Sequence, residues 1–230
     1  MFSNSYELDQ KVSSFMAGVY GWMSCALALT AGTAYYIATT PSAFMYIYTH
    51  SAVIIGLMIL QIGLVIAISA LINRISFPTA LLLFLLYAAT LGITVSSIFF
   101  VYTEGSIFST FLTTACTFGA MSLYGYMTKA DLTSVGSMSM MVLIGLVIGM
   151  FVNMFLQSER FDYILSGIGV VIFTLLTAYD TQKIKQIALP MLADKEMVGK
   201  VTVIGALTLY LDFVNLFLFL LRFMGQRRDQ

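Results

Sequence analysis

Apolar residues gather along this chain in seven stretches of about twenty, the length a helix needs to cross a hydrocarbon core at 1.5 Å of rise per residue. The stretches fall roughly at residues 15–38, 51–72, 78–102, 106–127, 134–156, 163–178 or beyond, and 201–221. Between them lie short polar or turn-forming connectors: Pro41 in its Thr-Thr-Pro-Ser context and residues 73–77, 103–105, 128–133 and 157–162. None has room for a soluble domain. The pattern predicts an all-α, polytopic membrane bundle of seven transmembrane helices. A single domain at 15–222 carries a polar N-terminal segment at 1–14 and a polar C-terminal tail at 223–230. The opening MFSNSYELDQK lacks the basic start and short apolar core of a signal peptide, so the first helix is expected to stay uncleaved.

The seventh stretch, VTVIGALTLYLDFVNLFLFLLR, holds a carboxylate in its middle. Asp212 sits on the order of 15 Å from either end of the run, near the midplane of a core roughly 30 Å thick. A charge there costs at least about 2.5–3.5 kcal/mol, so such residues face the protein interior, find a partner and mark a pathway or a proton site. Gly205, Thr208, Asp212 and Asn215 share one helical face, while Leu211, Phe213, Phe217 and Leu218 point elsewhere. The plainer reading is an aspartate that only hydrogen-bonds a neighbouring helix.

A second acid, Asp180, lies in the sixth stretch within FTLLTAYDTQKIKQIALP. If that helix runs on to about Pro190 and the seventh begins near Met197, the turn centres near Lys195. Antiparallel helices then bring Asp180 and Asp212 to a similar depth. Two carboxylates in a dry site cannot both ionise cheaply, so they hold one proton between them and titrate as a pair. Loss of that proton would let like charges push the helices apart, and calcium, which prefers carboxylate oxygens, could take its place. The competing reading puts Asp180 at a solvated rim, paired with Lys183 or Lys185. Arg74, at the end of the second stretch, is a candidate counter-ion on the same side, with a snorkelling anchor as the alternative. Glu104 reads as an exposed loop acid or a cation-attracting mouth. His50 sits beside a connector and is not expected to be a ligand.

Composition sharpens the class. Of 230 residues, 60% are hydrophobic and 10% charged, and the mean hydropathy is +0.93, far from a soluble domain. Lysine plus arginine equals aspartate plus glutamate at 11 each, which gives no nucleic-acid signal. Cys25 and Cys116, both within apolar stretches, read as small buried hydrophobes rather than a disulfide framework. Small residues spaced by four, at Ala17, Gly21 and Cys25, at Ala88, Gly92 and Ser96, and at Gly145 and Gly149, read as helix-packing stripes. Lys11, Arg74, Lys129, Lys183, Lys185, Lys195 and Lys200 would share one side and Arg160 the other, which puts the N-terminus in the cytoplasm of a cell inner or plasma membrane. Arg222, Arg227 and Arg228 go against that bias if the last helix crosses, and its length of about 21 residues favours crossing.

Catalysis fits poorly. An intramembrane aspartyl protease needs a GxGD second half, whereas Asp212 stands in TLYLDFVN. The seventh stretch has no lysine for a Schiff base, and the single histidine leaves serine hydrolysis, haem and metal centres without ligands. No cofactor is expected.

Taken together, LYAATLGITVSSIF, FGAMSLYGYMTKADL, TAYDTQKI and ALTLYLDFVNLFLFLLR resemble the bacterial branch of the Bax inhibitor-1 family. The likeness covers nearly all of the chain after the polar start. It implies six helices around a central seventh, and a membrane calcium leak whose paired acids respond to pH, matching Asp180 and Asp212. An arginine latch on the second helix belongs to that picture, although Arg74 stands at the helix end. Some bacterial relatives are linked instead to control of a membrane-bound AAA protease, which would make this a regulatory partner of another membrane protein. Such a role would rest on residues 1–14 and tolerate loss of the acids.

Overall fold

The computed structural model describes residues 2–192 and 194–228, the side chains of residues 2–6 and 195 excepted. Expectations for Met1, for the Lys195 side chain and for the last two residues of the tail lie outside the described residues. The helices are α1 (Phe2–Ala38), α2 (Pro41–Thr49), α3 (Ser51–Leu71), α4 (Phe77–Val95), α5 (Ile98–Val101), α6 (Glu104–Met127), α7 (Thr133–Leu156), α8 (Glu159–Ala188) and α9 (Lys195–Met224), with a 3₁₀ turn at Leu189–Met191. Among the described residues seven segments are long and apolar enough to cross a membrane: α1, α3, α4 with α5, α6, α7, α8 and α9. The chain is a polytopic helical membrane protein. Its outward apolar residues, such as Ile59, Met141 and Phe155, would be untenable in water and are at home against lipid.

Helix starts are written locally. Proline occupies the first turn of α2 and α4, where its missing N–H costs nothing. Thr103 accepts from Ser106 N at the head of α6, and Asp194 Oδ1 accepts from Glu196 N and Met197 N at the head of α9. Asp131 Oδ1 accepts from Thr133 Oγ1 at 2.6 Å and Thr133 N at 2.9 Å. The hydroxyl first and the amide second hold the Asp131 carboxyl below the usual carboxylate range. That support for α7 is present above the ordinary carboxylate pKa and fades as pH falls through the lowered one.

Three elements depart from the sequence expectation. α1 begins at Phe2 because Glu7, Leu8, Gln10 and Lys11 are good helix formers that extend the apolar helix backwards. The first connector contains α2, nucleated by Pro41 but far too short to cross. The third stretch breaks at Ser96 and Ser97: Ser96 Oγ donates to Ile93 O at 2.7 Å and the Tyr48 hydroxyl to Thr94 O at 2.9 Å, taking carbonyls that a straight helix would have used.

The chain divides into two compact units, residues 1–101 with 187–210 and residues 102–186 with 211–230. In the first, α1 packs through Val12, Met16, Val19, Met23, Ala26 and Thr30, a seam of 3.5-residue spacing. Thr30 Oγ1 donates to Ala88 O at 2.9 Å and lies 2.6 Å from the hydroxyl of Tyr210, which Phe84 and Tyr87 meet edge-on. A Cβ at Gly92 would stand 2.6 Å from Thr30 O, so the Ala88, Gly92, Ser96 stripe does bring backbones together.

In the second unit Phe111 and Phe118 pack on Phe213, and Phe173 stacks on Phe219. The tail returns to the head of α6: Thr103 N donates to Gln226 O at 3.1 Å, Gln226 N to Ser106 Oγ at 2.9 Å, and Arg228 pairs with Glu104 at 3.6 Å. Glu104 is thus the first residue of α6 with a cationic partner.

Three expectations are corrected. Cys25 and Cys116 are exposed, not buried, and the Ala17, Gly21, Cys25 stripe faces outward with nothing within 4 Å of a Cβ at Gly21. The bulkier seam on the opposite face of α1 does the packing. Lys200, counted as a connector cation, is buried within α9 and paired to Glu196 at 2.9 Å. α9 is the most enclosed span, with 61% of its apolar window buried against 11% in α3 and α7.

Candidate functional site

The described register ends α8 at Ala188 and starts α9 at Lys195 after one 3₁₀ turn, close to the continuation that the sequence suggested. Asp180 and Asp212, both in the second unit, are neighbours. Asp212 is 5% exposed and Asp180 is half-buried. Among the described residues Asp212 Oδ2 is buried with no hydrogen-bond partner. Ionised carboxylates only accept, so two of them side by side can be joined only by a proton on one. The geometry is therefore chemically suited to holding a single shared proton.

The neighbouring lysines do not take that place. Lys185 Nζ donates to Tyr126 O at 3.0 Å and sits 4.5 Å from the centre of the Tyr126 ring. Lys183 lies over the Tyr179 ring at 5.5 Å; it acts on Asp180 through space without forming an ion pair. Asn215 Nδ2 donates to Leu211 O at 2.8 Å, so its amide is turned back on its own helix. Thr208 is half-buried on the part of α9 that belongs to the first unit. Arg74 is exposed in the turn after α3, also in the first unit. Among the described residues His, Cys, Asp and Glu form no group of three that could hold a metal.

The residues that set Asp180 in place were not singled out from sequence. Tyr179 packs on Gly136 of α7, where an added Cβ would stand 2.5 Å from the ring. Thr181 donates to Ser122 Oγ of α6 at 3.3 Å. Gln182 closes the connector between α6 and α7, accepting from Leu132 N at 3.0 Å and donating to Ala130 O at 2.8 Å. One turn of α8 thus faces α6, α7 and their connector through consecutive side chains. Gly125 completes the clamp, since a Cβ there would collide with Ala178 O.

Seven apolar spans, with Asp212 buried in the last of them and Asp180 half-buried beside it, define a polytopic helical membrane protein with a pair of carboxylates in its spans. The chain belongs to the Bax inhibitor-1 family: the family described as "Inhibitor of apoptosis-promoting Bax1" matches residues 12–229. It is similar to the inner membrane protein YbhL of Escherichia coli strain K12, with 49% identity over 94% of this chain and 93% of that protein. An uncharacterized protein of Borreliella burgdorferi is 47% identical over 94% of both chains. An uncharacterized membrane protein of Streptococcus pyogenes serotype M3 is 33% identical over 95% of both.

Proposed function

We propose that this protein is a proton-responsive cation leak, with calcium as its cargo and the Asp180–Asp212 pair as its latch. The observation that carries the reading is Asp212 Oδ2, buried without a hydrogen-bond partner among the described residues and with Asp180 as its acidic neighbour. With one proton between them the acids attract and hold α8 to α9. When the proton leaves, like charges repel and cannot be rehydrated without separating the helices. A pair of carboxylates offers up to four oxygens where calcium prefers six to eight. It suits an ion passing through better than one held in place. Asn215, one turn beyond Asp212, would serve as a polar step along α9. The chain carries out no catalysis on this reading and needs no cofactor.

The name of YbhL supports an inner membrane location, and the lysine and arginine bias supports a cytoplasmic N-terminus. The test is calcium entry into liposomes holding the purified protein and a calcium-sensitive dye, followed between about pH 6 and 8. The expected result is entry that rises with pH, and folded protein that passes no calcium at any pH contradicts the leak.

A second reading, regulation of another membrane protein such as a membrane-bound AAA protease, is favoured by the length of α1. Its 37 residues exceed what a core about 30 Å thick needs and carry exposed Leu8 and Lys11 beyond the apolar stretch. Deleting residues 1–14 would abolish partner pull-down on this reading, and unchanged pull-down would remove its N-terminal basis.

A further inference from the structure

A cavity of about 360 Å³ opens where α7 ends and α8 begins, at the C-terminal end of α9. Arg222 and Arg227 line it together with Glu159 and Asp162. Two cations and two anions share this small space, yet among the described residues none of the four forms an ion pair with another. Arg228, by contrast, is accounted for by Glu104. The walls are fixed. Asn153 Oδ1 accepts from Ser158 N at 3.1 Å and Asn153 O from Gln157 N at 2.8 Å, with Gln157 in the left-handed region at φ 49°. Tyr163 stacks on Phe223 with ring centres 4.6 Å apart. Aromatic pairs at the ends of spanning helices sit at the level of lipid headgroups.

We infer that this cavity binds a zwitterion bearing a phosphate and a primary ammonium, namely a phosphoethanolamine group. The arginines supply paired N–H donors to the phosphate oxygens, and the two carboxylates accept from the ammonium N–H groups. A choline headgroup offers the same charges without N–H donors, and a glycerol headgroup offers the anion without the cation. Neither satisfies all four side chains. The inference is independent of the leak, since none of these residues touches the Asp180–Asp212 pair.

Two sources carry this chemistry, the headgroup of phosphatidylethanolamine and free phosphoethanolamine. Native mass spectrometry of the full-length protein, released from nanodiscs of equal parts phosphatidylethanolamine, phosphatidylcholine and phosphatidylglycerol, reads the first. Thermal shift on the detergent-solubilised protein with phosphoethanolamine added reads the second. The expected result is retention of the ethanolamine lipid over the choline lipid by roughly five- to tenfold, the scale of one charge-assisted contact. Arg222→Gln with Arg227→Gln should remove that preference, and Glu159→Gln with Asp162→Asn should turn it towards phosphatidylglycerol. A thermal shift with phosphoethanolamine, alongside no lipid preference, would assign the site to the free molecule. Should the wild type retain all three lipids equally and show no thermal shift, the inference is overturned, whatever the variants do. The same holds if it prefers the ethanolamine lipid but both double variants, shown folded by unchanged melting, keep that preference.

Discussion

A carboxylate that has left water needs a donor, a counter-charge or a proton, and the surroundings of Asp212 narrow the choice. Asn215 bonds Leu211, Lys185 bonds Tyr126, and Lys183 lies over a ring, so the partner in reach is Asp180. This part of the site was legible in the sequence: an aspartate in mid-span demanded a partner, and the antiparallel register supplied one. Which cations would stay away was not legible, because Lys185 is drawn off by the carbonyl and ring of Tyr126 brought in from α6. Two residues before Asp212, Tyr210 is fully buried with its hydroxyl 2.6 Å from Thr30 Oγ1. Tyr210→Phe should lower stability by about 1 kcal/mol, since Thr30 keeps its backbone acceptors while one buried bond is lost. Thermal melting in detergent measures this, and no change would mean that the bond adds nothing to the packing around it.

Among the helices, contact is decided by glycines whose position matters more than their spacing. Gly125→Ala should force α6 from α8 and destabilise by about 1–3 kcal/mol, because the new methyl would meet the carbonyl of Ala178. Gly21→Ala, on the outward stripe of α1, should leave the melting temperature unchanged or slightly raised. Equal effects of the two would contradict the packing described. Spacing by four identified the stripes at Gly21 and Gly92, though not Gly125, and could not say which faces protein, because in lipid an outward face carries no polar signature. The YDTQ stretch shows the same limit. It stood out as a motif, but its use of Tyr179, Thr181 and Gln182 to engage α7, α6 and the connector depends on partners distant in sequence. Gln182→Ala should release the connector, and hydrogen exchange at the Leu132 amide should rise roughly tenfold, the scale of one lost bond. Unchanged exchange would show that the connector is held by other means.

Taken as a whole, the chain was readable in its class and its seven spans, because length and apolarity alone set what crosses a bilayer. The breaks were not. α2 and the bend at Ser96 arise from one proline and from hydroxyls competing for carbonyls, effects too local for an apolar count to register. The last helix is long and apolar enough to cross in full, and its tail bonds the 102–106 segment at the start of α6. Cysteines at Lys11 and Arg228, in a background lacking Cys25 and Cys116, should therefore take an impermeant label from opposite sides of the membrane. Labelling of both from one side would make α9 re-entrant.

The proposed latch stands or falls on whether one proton is shared between the two acids. Calcium entry into liposomes should be compared for the wild type, Asp180→Asn and Asp212→Asn across the same pH range. An asparagine donates an N–H to the remaining carboxylate without needing a proton, so each variant should carry calcium at a rate that no longer varies with pH. If both variants keep the wild-type dependence on pH, the carboxylate pair is not the latch.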